Sequence, residues 1–198
     1  MSLQSIIRAE LSASIAVKKA LLEDEYLLTQ VEALAMQCIE ALHAGNKIIF
    51  AGNGGSFADA QHLSAEFVSR FKFDRAPLAS LTLGTNNSAI SAIGNDYGYD
   101  QIFSRELEAV AKNGDVFIGI STSGSSANIL SAVTKATSLG IATNCLTGRS
   151  GGQLANLCNC LRMPSDETAR IQEAHITVGH IICGLVEQIY FPEGSNYL

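Results

Sequence analysis

The chain has little charge, and what it has is weighted towards acid. Of its 198 residues only 13 are Lys or Arg, against 19 Asp or Glu, for a net charge of −6. No basic run and no basic amphipathic stretch occurs, which argues against a broad nucleic-acid footprint or a membrane-surface site. There are three prolines and no Pro- or Ser-rich segment, so no linker is expected to divide the chain. No apolar run reaches membrane-spanning length and no secretory or transit signature is visible, from which a cytoplasmic location is expected. The Gly-Lys-Ser/Thr of a P-loop is missing, and Phe57 stands where the dinucleotide fingerprint wants its third glycine. An anionic ligand would therefore be held locally, by backbone N–H groups and hydroxyls.

Two segments can do that. Val116-Phe117-Ile118-Gly119-Ile120 runs into Ser121-Thr122-Ser123-Gly124-Ser125-Ser126, and Lys47-Ile48-Ile49-Phe50-Ala51 runs into Gly52-Asn53-Gly54-Gly55-Ser56. A strand feeding a glycine- or hydroxyl-rich turn and then a helix presents unpaired N–H groups to an anion, and the hydroxyls add donors without charge. Ser/Thr acting only as helix caps would explain one or two of these hydroxyls, not Ser56, Ser121, Ser123 and Ser126 together. A phosphorylated small molecule is the expected ligand class.

A hydrophobic content of 47% is enough for one substantial core, and residues 1–198 are expected to form one domain. Strands at about 47–51, 78–83, 115–120, 141–146 and 158–162 alternate with helices at about 57–71, 87–94, 99–111, 126–138 and 167–190. That alternation predicts an α/β fold, a doubly wound parallel five-stranded sheet, over 45–198. Gly148 to Gly152 reads as a βα turn. Two further amphipathic helices, 3–22 and 25–43, have no strand between them, so residues 1–44 are expected to pack outside the wound core or against another subunit. The five cysteines, Cys38, Cys145, Cys158, Cys160 and Cys183, sit mainly in apolar patterns and read as reduced core thiols.

The ionisable candidates lie on two helices. His62 and Glu66, four apart, share a face of the helix leaving the glycine turn. The last helix carries Gln172, Glu173, His175 and His180 in an otherwise apolar run. At 100° per residue Glu173 falls nearly in line with His180 and Gln172 about 80° away. Periodicity alone therefore selects Glu173 as the partner of His180.

Taken together, Gly52-Asn53-Gly54-Gly55-Ser56, His62 to Glu66, Gly94-Asn95-Asp96, Ile120 through Asn128, Leu146-Thr147-Gly148, and Ala169-Arg170-Ile171-Gln172-Glu173 through His180 resemble the bacterial phosphoheptose isomerases. These are the sedoheptulose 7-phosphate isomerase branch of the sugar isomerase (SIS) domain family, with a Rossmann-like fold. The resemblance spans nearly the whole chain. It implies a homotetramer with active sites between subunits, and a product that supplies heptose to lipopolysaccharide or other surface glycans. It implies zinc held by His62, Glu66, Gln172 and His180, thus preferring Gln172 to Glu173. It also implies phosphate held by Ser56, Ser121, Ser123 and Ser126, a hydroxyl contact from Thr122, and a sugar lined by Asn53, Gly54, Gly55, Asn95 and Asp96. Ala169 departs from members that carry an acidic residue there, which puts one sugar contact in question.

Ketose–aldose interconversion moves a proton between C1 and C2 through an enediol(ate), a task suited to a carboxylate base and an imidazole acid. By the resemblance, Glu66 takes the C1 proton and returns it at C2, while His180 protonates the neighbouring oxygen or assists ring opening. A tightly ligated carboxylate is a poorer base, so Glu66 can fill both roles only with a loosely held ion or with ligation in one state. The competing expectation is a non-catalytic SIS tetramer of the replication-initiator-associating type, which the ending Ile189-Tyr190-Phe191-Pro192 resembles. That branch lacks ionisable groups at the positions of Glu66 and His180. A sugar-phosphate sensor would instead carry a fused DNA-binding segment.

Overall fold

A computed structural model of the protein describes residues 2–193. Five parallel strands, β1 (Ile48–Gly52), β2 (Ser80–Thr82), β3 (Val116–Ser121), β4 (Ala142–Thr147) and β5 (Asn159–Arg162), form one sheet in the order β2-β1-β3-β4-β5. In the centre Ile48 lies opposite Val116 and Gly52 opposite Ile120, so β1 and β3 end level with each other.

Both central strands are buried along their whole length, as the apolar runs require of a parallel sheet covered on two faces. Alternate residues go to opposite layers. Ile48, Phe50, Val116, Ile118 and Ile120 pack with α2 (Glu25–His43), α3 (Gly55–Val68) and α7 (Thr168–Tyr190). Ile49, Ala51 and Phe117 face α5 (Ile102–Val110) and α6 (Ala127–Ser138). The sheet is thus doubly wound, as expected.

The first helix, α1 (Leu3–Leu22), buries only Leu21, while Leu3, Ile6, Ile7, Leu11 and Ile15 remain exposed. It touches α2 and α7 from outside the wound core. The remaining helix, α4 (Asn87–Tyr97), lies between β2 and α5.

Three boundaries differ from the sequence reading. After β4 the turn at Gly148 leads into a short 3-10 segment, Gly152–Asn156, and then directly into β5, so no α-helix crosses there. Residues 69–71 do not continue the expected helix, and 78–79 do not open the expected strand. The helix α3 ends at Val68 because the Arg75 guanidinium takes up its last carbonyls, at 2.7 Å to Glu66 O and 2.7 Å to Phe67 O. Downstream, Leu78 N–H donates to Phe67 O rather than to the sheet, which shortens β2 to three residues.

Candidate active site

The strand order reverses between β1 and β3, and in wound sheets ligands sit at the carboxyl edge of such a switch point. Both sequence-selected turns are there. Gly54 adopts a left-handed φ of 55° that swings the chain from β1 into α3, and Gly124, at φ 64°, does the same after β3. Backbone N–H groups of the loop beyond β4 hold the second turn in place: Leu154 N–H donates to Gly124 O at 2.9 Å and Gly148 N–H to Thr122 O at 3.0 Å.

The two helices that start here, α3 and α6, have no side-chain cap, like α5 and α7, whereas Ser2, Asp24 and Asn86 cap α1, α2 and α4. Ser126 occupies the N-cap position of α6, yet its hydroxyl meets that of Ser121 at 3.1 Å instead of closing the helix. Uncapped N–H groups beside paired hydroxyls make a cradle for an anion. Ser56 is buried in the first turn of α3, and Thr122 is half-buried. The exposed Ser123 hydroxyl accepts from Ser125 N–H at 3.2 Å. A reciprocal pair of amide bonds, each 2.8 Å, ties Asn53 in the first turn to Asn128 in α6.

A second group converges from two helices. His62 and Glu66 project from α3 with Nε2 and Oε1 3.2 Å apart, and His180 on α7 brings its Nε2 to 2.9 Å from that of His62. All three donor atoms lie within 4.8 Å of one another. Ligands on a tetrahedral zinc at the usual bond lengths are about 3.3 Å apart, so two imidazole nitrogens and a carboxylate at these spacings fit such an ion. Burial, then the nearby His62, lowers the pKa of His180, against the pull of Glu66. The Phe71 ring stacks on the His180 imidazole, with centroids 5.4 Å apart and planes at 24°.

Gln172 reaches the glycine turn from α7. A Cβ on Gly55 would lie 2.5 Å from Gln172 Nε2, so the glycine makes room for that amide. Glu173, which periodicity selected as the partner of His180, is turned away: it pairs with Arg170 at 2.9 Å and lies 3.9 Å from Lys18 on α1. The preference for Glu173 is therefore overturned, because a nearby guanidinium captures its carboxylate. Asn95 and Asp96 bond to each other at 2.8 Å on the exposed end of α4. They line a shallow groove that shares only Asn87 with the cavity beside Asn53. Ala169 is exposed in the first turn of α7.

Three residues escaped the sequence reading. Asp59 lies one turn before His62 with a buried Oδ2 that has no hydrogen-bond partner, and burial raises its pKa against the opposing pull of His62. Its i−3 spacing from His62 was the available signal. Asn128, two residues beyond Ser126, ends a family motif, but its bond to Asn53, distant in sequence, had no signal. Tyr99 donates from Oη to Asn53 Oδ1 at 3.4 Å, from a 3-10 turn that had been expected as helix.

Comparison with known proteins agrees with this geometry. The SIS domain family profile matches residues 13–148. A phosphoheptose isomerase of Aneurinibacillus thermoaerophilus is 55% identical over 186 residues, covering 93% of this chain and 94% of that one. Phosphoheptose isomerase 2 of Campylobacter jejuni is 50% identical and covers 98% of each. The solved phosphoheptose isomerase of Francisella tularensis superposes with a TM-score of 0.90 at 35% identity, over 95% of this chain and 100% of that one. That of Neisseria gonorrhoeae gives 0.88 at 39% identity, over 94% and 100%. The chain belongs to the SIS domain family and, within it, to the phosphoheptose isomerases.

Proposed function

We propose that this protein is an aldose–ketose isomerase that converts sedoheptulose 7-phosphate into D-glycero-D-manno-heptose 7-phosphate. The observation that carries this reading is the meeting of Glu66 and His180 on two helices, one of which, α3, opens at an uncapped glycine turn next to the hydroxyl-lined turn of β3. Ser56, Ser121, Thr122, Ser123 and Ser126, with the N–H groups opening α3 and α6, bind the phosphate and so anchor the far end of the sugar. Asn53, Gly54 and Gly55 line the chain of hydroxyls, joined by Asn95 and Asp96 when the substrate spans to α4. Glu66 removes the C1 proton and returns it at C2. His180 delivers a proton to the neighbouring oxygen as the enediolate forms.

His62, Glu66 and His180, with the Gln172 amide as the weakest donor, would hold zinc. A bound zinc would supply Lewis-acid polarisation of the carbonyl oxygen. With one neutral amide and no thiolate, this set is expected to hold zinc more weakly than a structural site does. The exposed apolar face of α1 supports a homotetramer with sites between subunits. No helix among the described residues is long and apolar enough to cross a membrane, which supports a cytoplasmic enzyme feeding heptose to surface glycans. The non-catalytic reading is not favoured, because both ionisable groups that chemistry needs are present and adjacent.

The test is incubation of the zinc-loaded protein with sedoheptulose 7-phosphate, with the product followed by NMR. An aldose with its carbonyl at C1 and a hydroxyl-bearing stereocentre at C2 is expected. No conversion by the zinc-loaded protein would end the assignment.

A further inference from the structure

The Glu187 carboxylate is 1% exposed and sits two turns beyond His180 on α7. Its Oε1 accepts from Phe71 N–H at 2.8 Å and from Arg75 Nε at 2.9 Å, and its Oε2 accepts from Lys72 N–H at 2.7 Å. Arg75, itself almost fully buried, spends its other donors on the end of α3, including 2.7 Å to the carbonyl of Glu66. One guanidinium thus binds the backbone of the residue that carries the carboxylate base and, through Glu187, the helix that carries His180. The same carboxylate fixes the backbone of Phe71, whose ring lies on the His180 imidazole. Removing a charge from water and surrounding it with directional bonds is a costly way to hold two helices together, and apolar packing would serve stability at least as well. What the ionic arrangement adds is fixed geometry.

We propose that Arg75 and Glu187 form a clamp that sets α3 against α7 and, through Phe71, orients the His180 imidazole towards His62 and Glu66. Arg75, Glu187 and Phe71 are then positioning residues for the reaction. The role rests on the reading of this corner as the reaction site. It places no new group on the substrate: Phe71 works on the ring plane of His180, and the ion pair works on the distance between two helices. Outer partners of this kind typically change metal affinity or activity by about 10–100-fold when lost.

Two sets of variants test the clamp, each assayed for turnover and, independently, by titration of the metal-free protein with cobalt(II) followed by visible absorption. Phe71→Leu keeps an apolar side chain but removes the flat ring. It is expected to lower kcat by about 10-fold or more with KM for sedoheptulose 7-phosphate within about twofold, and to weaken cobalt binding by about 10-fold. Phe71→Tyr should restore both. The double variant Arg75→Met with Glu187→Leu leaves no buried unpaired charge, and where it folds it should show the same split together with an altered cobalt spectrum. Wild-type kcat and wild-type cobalt titration in Phe71→Leu would overturn the proposal. So would a double variant whose only change is a lower melting temperature. If the unaltered protein bound cobalt but isomerised no sugar, the isomerase reading would fall, while the cobalt titrations would still decide whether the clamp orients the corner.

Discussion

The proposed phosphate cradle and the proposed acid–base corner are built in opposite ways. The cradle is local: each half is a strand, a turn and the start of a helix, contiguous in sequence, and its donors are backbone N–H groups and short hydroxyl side chains. The corner is assembled from side chains 118 residues apart, His62 and His180, on helices that meet only in the finished fold. A cradle made from backbone keeps its shape as long as its strands stand. A corner made from long-range contacts depends on whatever sets one helix against the other, here a buried ion pair and an aromatic ring.

If that contrast holds, damage to the corner should act on turnover and damage to the cradle on binding. The largest effect is expected from Glu66→Gln, which preserves shape but removes the base. kcat should fall by about 10²–10⁴-fold with KM little changed, as read by steady-state kinetics on sedoheptulose 7-phosphate. A large rise in KM with kcat preserved would erase the distinction between the two regions.

A second effect joins them. His175 lies on α7, the helix of the corner, but its buried ring meets Thr147 O at 3.2 Å, and Thr147 is the register partner of Ser121 in the cradle. Burial lowers the pKa of His175 from 6.5 to about 4, with the Thr147 hydrogen bond opposing. Between those values the unfolded chain binds a proton that the folded chain refuses, so stability falls as pH falls from about 6.5 to about 4 and loses nothing further from this group below that. The loss should amount to about 3 kcal/mol. It would be read as a falling urea midpoint whose slope is flattened in His175→Gln.

Smaller still, the double replacement of Ser121 and Ser126 by Ala should raise KM by about 30-fold, at about 1 kcal/mol per lost hydrogen bond, and leave kcat near wild type. The smallest change is expected from Asn128→Ala, which leaves the Asn53 amide without its reciprocal partner. A destabilisation of about 1 kcal/mol and a few-fold rise in KM would show that the two turns act as one cradle. A fall in kcat alone would place Asn53 with the corner instead.

The same contrast explains what could be read from the residues in advance. The wound sheet was legible because Ile48 to Ala51 and Val116 to Ile120 are unbroken apolar runs ending in glycine or serine, and the i,i+4 spacing of His62 and Glu66 is a property of one helix. What stayed hidden depends on contacts between distant segments. Periodicity placed Glu173 in line with His180, but Arg170 and Lys18 turn it towards α1. The early end of α3 follows from Arg75, whose carboxylate partner lies 112 residues downstream, and the short β2 from the bond between Leu78 N–H and Phe67 O. The direct passage from β4 to β5 was misread because glycines at Gly148, Gly151 and Gly152 mark a turn equally well before a helix or a 3-10 segment. Gln172 was identified by family resemblance, and the reason for its placement, the missing Cβ of Gly55, is visible only in space.

The packing of α2 against α7 also has a meaning for synthesis. The buried side of α2, with Leu27, Val31, Leu34 and Ile39, shares its layer with Ala174, Val178, Ile182 and Val186 of α7. About 125 residues separate the end of one helix from the start of the other, so at ~5–20 residues per second the first waits roughly 6–25 s on the ribosome for its cover. Throughout that interval the nascent chain displays a greasy ribbon that chaperones recognise. Ribosomes that stall before Thr168 release a product in which only α2 and α3 cover that side of the sheet, a natural target for proteolytic clearance.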